Sequence, residues 1–157
     1  MGVERRGRAV CRFAGRGQAR CEAVGDVGMR PHLEKAGQSL RSAELLLSTG
    51  DLDGAVNRAY YACYDAARGV LEIVAGIDTR DVKTHAGLIR LFNLQIVKPR
   101  LMPLEIGRLI GREEQLRLFA DYGEGVHERS EAELAVKQAV DFVGACIALA
   151  RDKGTTP

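Results

Sequence analysis

The 157-residue chain has no Trp, only 5% aromatic residues and four Pro. A broad stacking platform for single-stranded nucleic acid is therefore disfavoured, because such platforms are built from aromatic side chains. No uninterrupted apolar run approaches the roughly 20 residues of a membrane span. The N-terminus also lacks the apolar core of about 7–15 residues that marks a secretory signal. A cytoplasmic protein without membrane association is expected. The four cysteines, Cys11, Cys21, Cys63 and Cys146, include no CxxC and no Cys–His cluster at zinc spacing. Cys63 and Cys146 fall inside apolar helical patterns and read as buried thiols of a reducing compartment. GxGxxG, GxxxxGK[ST], HExxH and GxSxG are all missing. Glu124-Gly125-Val126-His127 is a single Glu-x-x-His pair, whereas a diiron bundle needs two such pairs and two further Glu. No cofactor and no metal is expected.

What is present is ordinary globular composition, 46% hydrophobic and 28% charged. The formal net charge of +2 is unevenly spread. Residues 1–30 hold seven Arg against three acids, or +4, and residues 31–157 hold 16 basic against 18 acidic residues, or −2. The first 28 residues carry six Gly and six Arg without a sustained apolar period, the composition of a disordered leader. Three readings of it stand open: an Arg-rich arm for nucleic acid, a transit-like peptide, or translated sequence upstream of a start at Met29 and so foreign to the native protein. A single folded domain over 29–153 is expected, with residues 154–157 as a flexible tail.

From Pro31 the apolar pattern is helical. Leu33, Ala36, Leu40, Ala43 and Leu47 recur at helical spacing. Ser48-Thr49-Gly50-Asp51 ends that helix and opens a second from about Leu52 to Ala75, a link short enough for antiparallel neighbours. The second helix is apolar on most sides, with Tyr60 and Tyr64 widening its stripe and one narrow polar strip. That is the pattern of a central element. After a turn over 76–81, a third helix is predicted from Val82 to Val97, ended by Lys98-Pro99. A fourth is predicted from Pro103 to about Ala120. A last one follows the Gly123-Glu124-Gly125 break, capped by Ser130 with Glu133 and running to about Ala150. No segment shows sustained period-2 alternation. The expected fold is all-α, an up-and-down bundle of about five helices.

Three constellations carry potential chemistry. Arg58, Tyr61 and Asp65 share one face, so that Arg and carboxylate could hold each other inside the bundle with the phenol as partner. A purely structural polar network uses the same residues. Lys83-Thr84-His85 opens a helix and suits an anion such as phosphate, or else caps the helix while His85 packs on the core. Arg117 and Asp121 are i, i+4 neighbours, a surface ion pair or part of a site, with Tyr122 next in sequence and Glu113 and Glu114 within reach of Arg117.

Asn57-Arg58-Ala59-Tyr60-Tyr61-Ala62, Lys83-Thr84-His85-Ala86-Gly87-Leu88-Ile89, and Leu116-Arg117 through Asp121-Tyr122-Gly123 come in an order and at intervals that resemble the HEPN domain family. The resemblance spans Ala55 to about Ile147. It implies a helical bundle that pairs as a homodimer, often beside a nucleotidyltransferase in toxin–antitoxin or defence systems. Many members are metal-independent ribonucleases, in which an Arg and a His four to six residues beyond it act at the dimer cleft. There the Arg holds the scissile phosphate and the His assists proton transfer. Carried onto this chain, Arg117 takes the Arg position, but Tyr122, Gly123 and Glu124 stand where the His belongs. Arg80 and His85 do have four residues between them, yet about one such match is expected by chance from 18 Arg and three His. The resemblance thus implies two alternatives. One is a ribonuclease acting through Arg117 with Asp121, Tyr122 or His85. The other is a non-catalytic module that binds a nucleotide or docks a nucleotidyltransferase. Arg58, Tyr61, Lys83 and His85 are the candidate substrate or nucleotide ligands in either case.

Overall fold

Small residues decide how closely helices can approach, and the second predicted helix is rich in them. In a computed structural model describing residues 10–14, 18–22, 31–123 and 127–154, the body is all-α. Its helices are α1 (Pro31–Thr49), α2 (Leu52–Val74), α3 (His85–Phe92), α4 (Leu104–Gly107), α5 (Leu109–Tyr122) and α6 (Arg129–Gly154). Helix α2 packs against α1, α3, α5 and α6. Ala55, Ala59, Ala62, Ala66 and Ala67 on it are fully buried. At Gly69 a Cβ would come within 2.8 Å of the Leu33 side chain, so α1 crosses α2 where there is no side chain to obstruct it. Phe92 and Phe142, with ring centroids 5.4 Å apart, tie the end of α3 to α6. Cys63 and Cys146 are free, fully buried thiols, as their apolar surroundings predict.

The α1–α2 link is built as the sequence suggests. Gly50 takes φ +88°, a left-handed conformation that glycine adopts without strain. The Gly50 and Asp51 amides then donate to the Leu47 and Leu46 carbonyls at 3.2 and 3.0 Å. Asp51 caps α2 by accepting from the Gly54 amide at 2.9 Å.

Several boundaries differ from expectation. The third helix begins at His85 rather than Val82, because Thr84 is its N-cap and accepts from the Gly87 amide at 3.0 Å. Its last turn, Asn93–Val97, is widened into a π-turn, with the Lys98 amide bonded to the Asn93 carbonyl at 2.8 Å. The predicted turn over 76–81 contains a short 3-10 segment, Thr79–Asp81. The fourth helix is interrupted at Arg108. Gly107 lies so close to Val97 that a Cβ would meet its Cγ2 at 2.5 Å, and the short α4 follows the π-turn before α5 departs. The last helix is capped two residues earlier than Ser130–Glu133: the Glu131 side chain accepts from the Glu128 amide at 3.0 Å, and Ser130 already lies inside α6. That helix continues through Gly154, into the expected tail, and residues 155–157 fall outside the described set.

Within the leader, expected to have no regular structure, Val10–Ala14 and Gln18–Glu22 pair as an antiparallel hairpin in the register Val10↔Glu22 to Ala14↔Gln18. Val10, Arg12 and Ala14 alternate with Cys11 and Phe13, too short a pattern to stand out in the sequence against the surrounding Gly and Arg. The other leader residues, and Glu124 to Val126, lie outside the described set.

One core residue breaks the burial rules. Glu113 on α5 is fully buried, and neither carboxylate oxygen has a hydrogen-bond partner among the described residues. Burial pushes its pKa up to about 8, so the carboxyl is neutral at pH 7, and among the described residues it pairs with no cation, Arg117 being held by Asp121. Its nearness adds to burial in raising the Cys63 thiol. Because the folded pKa lies above the ordinary carboxylate value, the stability this group supplies is complete below about pH 4.5. It is lost as pH rises through about 8. Glu113→Met is expected to stabilise the fold at pH 8.5 by about 1–3 kcal/mol, the usual penalty of an unsatisfied buried polar group. The gain should shrink toward pH 5, as read by denaturant unfolding at both pH values.

Candidate functional site

The site grows from the two tyrosines that the apolar pattern had assigned to the core. Tyr60 and Tyr64 are one helical turn apart on α2, so their rings lie side by side with centroids 6.1 Å apart. The Thr84 cap starts α3 so that His85 lands against them. The imidazole stacks on Tyr64 at 4.6 Å and lies over Tyr60 at 5.5 Å, and Tyr61 meets its edge at 6.1 Å. The Tyr60 hydroxyl and His85 Nδ1 are hydrogen-bonded at 2.6 Å. Tyr60 is fully buried, which together with the nearby Glu114 raises its pKa well above the usual phenol value and keeps it protonated. In the tautomer in which Nδ1–H donates to the Tyr60 oxygen, Nε2 keeps a free lone pair and is the ring nitrogen left to accept a proton.

Arg117 completes the cluster from α5. Its guanidinium sits 5.0 Å from the Tyr60 ring centroid, a cation–π contact. It donates from Nη1 to Asp121 Oδ2 at 2.6 Å, and Asn57 on α2 donates to Asp121 Oδ1 at 3.3 Å. The Arg117 side chain is only 14% exposed, and its Nε is buried without a hydrogen-bond partner. His85 is held below the ordinary imidazole pKa, first by burial and then by the Arg117 charge, with Glu114 opposing. The imidazole is therefore neutral at pH 7, as a proton acceptor must be.

Arg117, Asp121, His85 and Tyr61 thus converge, whereas Tyr122 and Lys83 flank the cluster. Tyr122 ends α5 and is 83% exposed. Lys83 is exposed in the segment before the Thr84 cap. Arg58 is exposed and lies over the Tyr61 ring at 5.7 Å. It does not hold Asp65, contrary to expectation: seven residues of helix separate them by about 10 Å of rise. Asp65 turns to α1 instead, 3.6 Å from Lys35 Nζ and 3.8 Å from His32 Nδ1. It belongs to a second network in which Arg68 donates to Thr79 Oγ1 and Thr79 O at 3.0 and 2.9 Å, and the Thr79 hydroxyl donates to Glu72 at 2.7 Å. That network pins the 3-10 segment to α2. His127, buried to 2%, is a staple: Nε2 bonds the Leu116 carbonyl at 2.9 Å and its amide donates to Asp53 at 2.9 Å. Sequence reasoning missed Tyr60 and Tyr64 as site residues. The available signal was an i, i+4 aromatic pair, which presents two adjacent faces to a flat ring.

Because the Arg117 charge depresses the His85 pKa, Arg117→Ala is expected to move the His85 titration midpoint upward. His32→Asn, at the distant network, should leave it unchanged. NMR titration of the imidazole ring protons measures both.

Comparison with known proteins follows the same boundaries. The HEPN domain family profile matches residues 29–149. A UPF0332 protein of Gloeobacter violaceus is 31% identical over 114 residues, 71% of this chain and 86% of that protein. A Thermotoga maritima UPF0332 protein is 31% identical over 119 residues, 75% of this chain and 87% of its own. The Methanocaldococcus jannaschii protein named "Putative toxin MJ0605" is 32% identical over 111 residues, 71% of this chain and 80% of that protein. Matched from Met29 into the last helix, with α2, α3 and α5 joined at His85 and Arg117, the chain belongs to the HEPN domain family.

Proposed function

We propose that this protein is a toxin-type, metal-independent ribonuclease in which Arg117 works with a histidine from a different helix, His85. The observation that carries the reading is that one tyrosine serves both residues: Tyr60 bonds His85 through its hydroxyl and supports Arg117 on its ring. The position after Arg117 that holds no His is thereby compensated in space. The toxin name of the archaeal relative agrees with it. Arg117 binds the scissile phosphate and stabilises the charge that builds there. His85 Nε2 accepts the proton of the ribose 2′-hydroxyl as that oxygen attacks phosphorus. The P–O5′ bond breaks, the 5′ oxygen takes up a proton, and a 2′,3′-cyclic phosphate is left. A homodimer would bring two such sites to one cleft, with no metal or cofactor needed.

A second reading, a non-catalytic module that docks a nucleotidyltransferase, is favoured by one contact. Asp121 already occupies the Arg117 guanidinium at 2.6 Å, where a phosphate would go. The test is incubation of the protein with single-stranded RNA in the presence of chelator. Arg117→Ala and His85→Ala are each expected to slow cleavage at least about 100-fold, while Tyr122→Phe changes it only a few-fold. Loss with Tyr122→Phe but not with His85→Ala would transfer the proton-transfer role to Tyr122. No cleavage by the wild type or by Asp121→Asn, which frees Arg117, would overturn the ribonuclease reading.

A further inference from the structure

Away from this site, the charge of the body is concentrated in one place. Residues 86–112 carry five basic residues, Arg90, Lys98, Arg100, Arg108 and Arg112, against the single acid Glu105, which is +4. Since residues 31–157 sum to −2, the remainder of the body is −6. The positive segment runs from α3 to the start of α5, and Lys98 and Arg100 lie in its middle, in the turn that joins the π-turn to α4. That turn borders an open groove of about 810 Å³, with Val97 and Met102 buried at its floor and three of the five cations, Lys98, Arg100 and Arg108, among its lining residues. Leu101 and Leu104 also line it at 37% and 51% exposure, and Leu94, 51% exposed, stands one turn before Lys98. Of the five cations, Arg108 alone lies within 4 Å of a carboxylate among the described residues, Glu105 at 3.8 Å.

Arg100 shows that this arrangement is not what the backbone prefers. Its amide bonds the Val97 carbonyl at 2.9 Å, and the Leu101 amide bonds the Ile96 carbonyl at 3.0 Å. That pair closes a helix C-terminus and usually puts glycine at the middle position. Here the residue is Arg at φ +60°, the one non-glycine with positive φ among the described residues. A side chain there is strained. Among the described residues the guanidinium forms no ion pair in return. The strain therefore brings a cation to the rim that the fold itself does not use.

We propose that this groove docks an acidic, leucine-bearing amphipathic helix of a partner protein. Exposed leucines beside cations fit that chemistry: the apolar face of the helix covers Leu94, Leu101 and Leu104, and its carboxylates meet Lys98, Arg100 and Arg108. A second copy of this chain pairing face to face through the same patch would set Lys98, Arg100 and Arg108 against the same three cations. A nucleic-acid backbone would use the cations but leave the leucines in water.

The proposal is independent of the ribonuclease reading and is tested on the full chain by fluorescence anisotropy. The probes are a labelled helical peptide with Leu on one face and Glu on the other, the same peptide with Lys for Glu, and a single-stranded RNA oligonucleotide. Binding to phosphatidylglycerol vesicles is followed by co-sedimentation. Arg100→Gly removes a charge while giving φ +60° to the residue that suits it, so its melting temperature should equal or exceed that of the wild type. The Glu peptide should bind, the Lys peptide should not, and Arg100→Gly and Lys98→Glu should each weaken binding by about tenfold. Leu104→Ser should weaken it as well, and RNA cleavage by all three variants should match the wild type. No Glu-peptide binding, binding that the variants leave unchanged, or loss in these variants of RNA or vesicle binding instead would overturn the proposal.

Discussion

Helix α2 is enclosed by α1, α3, α5 and α6, and that enclosure governs the rest of the molecule. A helix covered on most sides cannot leave polar groups to water, so those it carries must find partners on the helices around it. Tyr60 reaches His85 on α3, Asn57 reaches Asp121 on α5, and Asp65 reaches Lys35 on α1. The same small residues that let its neighbours approach leave little room, so the few large polar side chains sit at the seams between helices. A site formed at such a seam is positioned by packing rather than by a loop.

Two polar clusters result, and their chemistry differs. Around Thr79, Arg68 serves both the hydroxyl and the carbonyl of one residue, while the neighbouring Asp65 Oδ2 and His32 Nδ1 are buried without a hydrogen-bond partner among the described residues. The Arg68 and Glu72 bonds to Thr79 stabilise a turn. Around Tyr60 the balance is incomplete: His85 keeps one ring nitrogen, and Arg117 keeps a buried Nε without a hydrogen-bond partner. An imidazole with a depressed pKa and a guanidinium sharing one tyrosine distinguish this cluster from the structural network. Glu113 is a third case, a carboxyl neutralised by burial alone, which lowers the stability of the core above neutral pH.

Periodicity made most of the helical body legible, because an apolar stripe at 3.6-residue spacing reports which face is buried regardless of what buries it. The places where it misled share one cause. The late start of α3, the break at Arg108 and the shifted cap of α6 each depend on a local contact, namely the Thr84 hydroxyl, the Gly107–Val97 approach and the Glu131 carboxylate. Periodicity carries no information about such contacts. The site was legible as three separate blocks of residues, and the Arg117–Asp121 pair followed from helical spacing alone.

The sequence by itself determined a helical body with a central second helix, buried Cys63 and Cys146, and a family resemblance resting on Asn57 to Ala62, Lys83 to Ile89 and Leu116 to Gly123. Only the tertiary structure decided which of those blocks meet. Along the chain, Arg117 is followed by no histidine at the expected distance, and His85 stands 32 residues before it. In the fold both rest on Tyr60. Arg58 and Asp65, which share a face of one helix, serve different neighbours. The reason is geometric: spacing along a helix sets direction within that helix, whereas distance between helices is set by the packing of side chains that the sequence leaves far apart.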